Sequence, residues 1–196
     1  MNSDDFIRLL ESYHPEKIAF SGDQKKLLNS VLKERSYPKN HILLYEQQVP
    51  TYAWFIIKGT ARVYYFDQYL QREVTSWFWF KGDMMFSMNS FFRQLEAGES
   101  IELLEDSTLL LLSFADIGAL RVQYRECLLL ERTLIEDYYS RFNRHHRNML
   151  AQRNEDKYRS INMAHKELFN LANQKDIASF LKMHPKSLSY LRLHSK

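Results

Sequence analysis

Between Tyr37 and Phe114 the apolar residues arrive in short runs: His41–Tyr45, Ala53–Lys58, Ala61–Phe66, Val74–Phe80 and Leu109–Phe114. The runs are rich in Val, Ile, Tyr, Phe and Trp, which suit a pleated surface. Gly59 separates two of them and is expected to form a tight turn; Asp67-Gln-Tyr-Leu-Gln71 separates the next pair. Short strands at roughly 8–12-residue spacing predict a compact all-β barrel or sandwich. Trp77-Phe-Trp-Phe80 places aromatics on both faces of its strand, for core packing or for a partner surface.

The flanks follow a different period, so the chain as a whole reads as α+β. Phe6, Leu9 and Leu10, then Leu27, Leu28, Val31 and Leu32, recur at spacings of three and four, predicting helix to about residue 35. From Asp116 to about Arg153 a helical stripe returns through Ile117, Leu120, Tyr124, Cys127, Leu134, Tyr138, Phe142, His145 and Met149, with Glu131 interrupting. One helix of that length would reach roughly 50 Å. Its stripe suits a dimer seam through Leu120, Tyr124, Cys127, Leu134 and Tyr138; the alternative is packing on its own β domain. Asn154-Glu-Asp resembles a cap and acidic first turn for a further helix to about Leu171, with Tyr158, Ile161, Ala164 and Leu168 inward.

The last stretch, Gln174 to Arg192, predicts two short helices joined by a tight turn. Ile177, Ala178 and Leu181 face Leu188 and Leu191, and Met183 plugs the turn. Pro185 suits a first helical turn. Lys186, Ser187, Ser189, Tyr190 and Arg192 then point outward. This is a helix-turn-helix pattern, whose second helix enters the DNA major groove. Charge agrees. Residues 141–196 hold 12 Lys+Arg and 4 Asp+Glu, against 15 and 20 in residues 1–140, so a net charge of +3 hides a basic C-terminal part. Clustered positive charge is the footprint of phosphate contacts.

Other chemistry is sparse. The 45% apolar and 14% aromatic content, with five Gly and four Pro, describes a chain able to build a core. No apolar run reaches about 18 residues, and the start has no signal-peptide pattern, so a cytoplasmic, non-membrane protein is expected. One cysteine, Cys127, excludes an internal disulfide; it reads as a buried thiol or, alternatively, a redox sensor. His145 and His146 are adjacent and so face different ways, a poor metal pair. No metal site, phosphate-binding loop or zinc-protease motif is present, and no enzyme is expected. Glu102, Glu105 and Asp106 read as turn and surface residues.

Four stretches carry a family resemblance: Phe55-Ile-Ile-Lys-Gly-Thr-Ala-Arg-Val-Tyr-Tyr65, Trp79-Phe-Lys-Gly-Asp83, Leu104-Glu-Asp-Ser-Thr-Leu-Leu-Leu-Leu112, and Gln174-Lys-Asp-Ile-Ala-Ser-Phe-Leu followed by Pro185-Lys-Ser-Leu-Ser. In this order they resemble the CRP/FNR family of bacterial transcription regulators, in a short Bacteroidetes-like subgroup. The resemblance implies a cyclic-nucleotide-binding-like β-roll of jelly-roll type at residues 1–115 and a long dimerisation helix at 116–153. It implies a helix-turn-helix at 154–196, with the wing found in many members truncated. It also implies double-stranded DNA as partner, a homodimer and contact with RNA polymerase.

The departures from that pattern are informative. Members that bind cyclic nucleotides carry a Gly-Glu pair for the ribose and a later Arg-Ser/Thr pair for the phosphate. Phe86-Ser87 stands at the first place, and Gly98-Glu99 or Glu99-Ser100 at the second; Arg93, the nearby cation, sits early. A glutamate at the phosphate position repels the ligand, so no cyclic AMP response is expected and the effector is left open. Met84, Met85, Phe86, Ser87, Met88, Phe91, Phe92, Arg93, Glu99 and Ser100 are the candidate ligand stretch, its Met and Phe lining an apolar pocket or filling core. For DNA, Lys186, Ser187 and Tyr190 are expected to read bases; Lys175, His184, Ser189 and Arg192 are expected to contact phosphate. Lys182 stands where glycine is common, so a left-handed backbone there is strained. The competing reading is a roll that acts on a protein partner, its DNA binding lost.

Overall fold

The computed structural model describes residues 6–8, 10–11, 20–124 and 126–194. Leu9, part of the first expected helical repeat, lies outside them. Residues 6–8, 10 and 11 are helical, with Phe6, Ile7 and Leu10 buried. Helix α1, Gly22–Val31, starts at a Ser21–Gln24 capping box, in which each side chain bonds the other's backbone N–H.

Eight strands follow: β1 Lys33–Tyr37, β2 Ile42–Leu44, β3 Tyr52–Lys58, β4 Ala61–Asp67, β5 Arg72–Trp79, β6 Met84–Met85, β7 Ser100–Leu103 and β8 Ser107–Ser113. They form two antiparallel four-stranded sheets, β1-β8-β3-β6 and β2-β7-β4-β5. Strand β1 was expected to be helix. Its Lys-Glu-Arg-Ser-Tyr sequence is almost wholly exposed, and an edge strand carrying charges shows no apolar period. The β3–β4 connection needs Gly59, at φ +125°, because a Cβ there would collide with the Ser107 side chain. The β4–β5 turn is closed by Asp67, whose carboxylate accepts from the N–H groups of Tyr69 and Leu70, both at 2.9 Å.

Strands β3 and β8 are covered on both faces, and this divides the core in two. Side chains alternate across a strand, so Trp54, Ile56, Leu109 and Leu111 face the other sheet. Ala53, Phe55, Leu110 and Leu112 face outward, where Phe6, Leu10, Leu28, Leu120 and Leu130 cover them. The inter-sheet core continues without a break into the C-terminal helices through Phe180, Ile177, Ala178, Leu181 and Leu188.

The single long helix expected from residue 116 is two helices. Helix α2, Phe114–Gln123, ends at Tyr124, whose backbone is extended (φ −134°, ψ 116°), and α3 runs Glu126–Ala151. The bend lets both helices lay their stripes on the outer core, and Arg121–Glu131, at 2.6 Å, clamps them across it. The helix expected to run to Leu171 is also divided, into α4 Asn154–Ala164 and α5 Leu168–Leu171. Tyr158, Ile161 and Leu168 are buried as read; Ala164 is exposed. Helices α6, Gln174–Phe180, and α7, Pro185–His194, complete the chain. No helix among the described residues is long and apolar enough to cross a membrane.

Candidate functional site

Helices α6 and α7 are held together by Ile177, Ala178, Leu181, Leu188 and Leu191, each 5% exposed or less. Ala178 has no accessible surface, which is why a small residue stands there. In the turn, Lys182 adopts φ +49°, the left-handed backbone expected from its position. Its N–H donates to Ser179 O at 3.0 Å and that of Met183 to Ala178 O at 2.9 Å. Gln174 Nε2 reaches across to Pro185 O at 2.8 Å.

On α7, Lys186, Ser189 and Tyr190 share the face opposite Leu188 and Leu191, while Ser187 and Arg192 flank the buried seam. Lys186, Tyr190 and Arg192 are exposed; Ser187 and Ser189 are half-buried. His184 Nδ1 accepts from the Lys186 N–H at 3.1 Å, so this side chain caps the helix. Tyr190 stacks on His194 at 4.2 Å, and the Arg192 guanidinium lies 5.3 Å from the Phe169 ring centre. Lys175 is exposed at the start of α6. All seven expected DNA contacts thus sit on α6, α7 or their turn.

Sequence reading missed what holds α6 in place. Arg62 of β4 forms ion pairs with Glu102 at 2.6 Å, Glu73 at 2.9 Å and Asp176 of α6 at 3.1 Å. Glu102 is therefore a β7 residue holding a buried cation, and not the turn residue expected. Glu105 and Asp106 do lie in the β7–β8 turn, where they accept from Thr60 Oγ1 and the Lys39 N–H, both at 2.8 Å. Burial disfavours the Arg62 charge, but Glu102, Asp176 and Glu73 outweigh it and hold its pKa above the ordinary value. Ser179 Oγ accepts from the Thr75 N–H of β5 at 3.1 Å. Phe180 stacks on His145 at 4.1 Å and meets Phe78 edge-on at 5.1 Å. Burial pushes His145 down to about 4, with the charges of Lys182, His146 and Lys157 adding and a backbone hydrogen bond at Phe180 opposing. His146, its neighbour, is exposed, so the two histidines do face different ways.

The candidate ligand stretch is largely filled. Ser87, with no accessible surface, donates to Glu99 Oε1 at 3.0 Å. Burial raises the Glu99 pKa, against the hydrogen bonds from Ser87 and the Met88 backbone. Phe86 packs against Trp79 and Tyr138, each at 6.2 Å. Burial, then the Glu99 carboxylate, pushes the Tyr138 hydroxyl up. Ser100 accepts from the Glu46 N–H at 2.9 Å. Arg93 is exposed and joins none of these groups. Met84, Phe86, Phe91 and Phe92, with Met88 packed nearby, belong to the outer core, where a cavity of about 70 Å³ remains beside Cys127 and Leu134.

The residues expected at a dimer seam turn inward. Leu120, Tyr124, Cys127 and Leu134 pack on the outer core, and Tyr138 lies against Trp77 and Trp79 at 5.5 and 5.2 Å. Away from that stripe α3 exposes Leu128, Tyr139 and Leu150, and at its border Phe142 stacks on Tyr138 at 6.1 Å while remaining partly exposed. No cluster of His, Cys, Asp and Glu suited to a metal ion occurs among the described residues.

Residues 34–124 match the cyclic nucleotide-binding domain family. No curated protein matches the chain in sequence. Solved structures do share its fold. One is a Eubacterium rectale protein described as a transcriptional regulator of the CRP/FNR family, at 18% identity and TM-score 0.69, covering 92% of this chain and 86% of that one. FixK2 from Bradyrhizobium japonicum aligns at 17% identity and TM-score 0.64, covering 84% and 85%. The Thermus thermophilus catabolite activator protein aligns at 18% identity and TM-score 0.55, covering 94% and 85%. The fold is thus an antiparallel cyclic nucleotide-binding roll with flanking helices.

Proposed function

We propose that this chain is a homodimeric, sequence-specific DNA-binding transcription regulator of the CRP/FNR type that does not answer to cyclic AMP. The observation that carries the reading is the C-terminal pair. A small buried residue sits at the crossing of α6 and α7, the turn is tight, and α7 offers Lys186, Ser187 and Tyr190 to base edges. Lys175, His184, Ser189 and Arg192 flank them as phosphate contacts. The fold shared with a protein described as a CRP/FNR regulator supports the same reading.

The dimer seam is the outward face of α3. Leu128, Ile135, Tyr139, Phe142 and Leu150 recur there at near-heptad spacing, and four of the five are exposed in the single chain. A Tyr139→Glu, Leu150→Glu variant is expected to sediment as a monomer; a persistent dimer would place the seam elsewhere. The cyclic AMP part rests on Glu99, a half-buried carboxylate where the resemblance puts a phosphate, with Arg93 turned to solvent. Any effector works by binding the DNA-competent arrangement of α6 and α7 more tightly than the docked one.

Sequencing the sheared genomic DNA that the purified protein retains, at low and moderate salt, tests the central reading. Enrichment of a short inverted repeat that survives moderate salt is expected. Uniform retention lost as salt rises would overturn it, and would favour a roll that acts on a protein partner.

A further inference from the structure

A second recess lies where the roll meets the helices. It is a cleft of about 450 Å³ walled by Trp77 of β5, Arg141 and Arg144 of α3, Gln152 just after that helix, Lys157 of α4, and Phe180 of α6. That volume falls in the range of small-ligand sites. Among the described residues no Asp or Glu lines it. Arg141 is held by Asp83 at 2.8 Å and Asp137 at 3.7 Å. Lys157 differs: it is 6% exposed, lines the cleft, and its side chain has no carboxylate or hydrogen-bond partner among the described residues. Arg144, at the mouth, is exposed and likewise unpaired. The Lys157 stem is buried while its ammonium is not among the fully enclosed polar atoms, and an anion in the cleft supplies the counter-charge that the protein does not. Gln152 Oε1 also lacks a partner.

We propose that this cleft binds a phosphate-bearing small molecule of nucleotide size, its phosphate on Lys157 and Arg144. The site is separate from the stretch around Ser87 and Glu99, where a carboxylate faces inward. Its walls belong to the roll, to α3, to α4 and to α6, and α4 and α6 are the helices that pack on α7. The inference is independent of DNA recognition, since binding is measured without DNA.

Calorimetry and tryptophan fluorescence on the full chain, titrated with AMP, ADP, pyrophosphate and adenosine, test it. Saturable binding of at least one phosphate probe is expected, with adenosine not binding. Lys157→Met is expected to weaken binding about tenfold or more, as loss of a charge-assisted contact does, and Arg144→Ala less. Arg144 is exposed, so its variant keeps the test alive should Lys157→Met fail to fold. The proposal falls if no phosphate probe binds, if adenosine binds as well as AMP, or if both variants bind like the parent chain. It also falls if the two variants lose only DNA affinity, which would assign these cations to the DNA backbone.

Discussion

The outer face of the β1-β8-β3-β6 sheet and the junction between β5 and α6 are both buried, yet they are built from different materials. The outer core is Phe, Leu, Ile, Met and Ala from β3, β6, β8 and the segment after β6, covered by the N-terminal segment, α1, α2 and α3. The junction surrounds Phe180 with aromatics and then adds a four-membered charge cluster on Arg62. Apolar packing tolerates many substitutes of similar volume. A buried ion cluster does not tolerate loss of its buried members, here Arg62, Glu102 and Asp176, because removal strands the others. The first region fixes that the roll folds; the second fixes where α6 sits on it.

Removing Arg62 is the sharpest way to break that contrast. Arg62→Ala leaves Glu102 and Asp176 buried without their cation and is expected to cost about 3–5 kcal/mol in denaturant unfolding. Leu120→Ala, in the outer core, is expected to cost about 2–4 kcal/mol and to leave α6 docked, as hydrogen exchange at α6 would report. A larger loss from Leu120→Ala than from Arg62→Ala would reverse the ranking.

Acid sharpens the comparison further. His145 titrates near 4 folded and near 6.5 unfolded. Between those values the unfolded chain binds the extra proton, so stability falls as pH drops through that window and is fully present above it. Solvent screens this partly exposed ring, so the loss is about 1–2 kcal/mol. His145→Phe is expected to remove that part of the pH slope; an unchanged slope would place the titration elsewhere. The smallest effect is at the turn. Lys182→Gly relieves the left-handed backbone and is expected to stabilise by about 0.5–1 kcal/mol, read as a raised thermal midpoint.

The same contrast explains what could be read from residues alone. Strands β3, β4, β5 and β8 announce themselves because they are apolar, and α6 and α7 because Ala178 and its neighbours keep helical spacing. Strand β1 is charged and β6 has two residues, so neither offers a period. The bend at Tyr124 is invisible because the stripe continues in register past it and both helices face one core. At the site, the outward residues of α7 and the strained Lys182 were legible. The Arg62–Asp176 pair was not: its members lie far apart in sequence, and ion pairing leaves no spacing to find. The stripe through Leu120, Tyr124, Cys127, Leu134 and Tyr138 suits a partner or its own β domain, because an apolar stripe does not say which surface covers it.

Strand β5 has one neighbour, β4, and bulges at Ser76 between its pairings of Val63 with Trp77 and Tyr64 with Thr75. The Thr75 N–H on that open side is taken by Ser179 of α6. Helix α6 therefore also guards a sheet edge, the kind of surface on which foreign strands add. A chain cut before Gln174 would bare that edge together with Trp77 and Phe78, and aggregation of the shortened protein is the expected result.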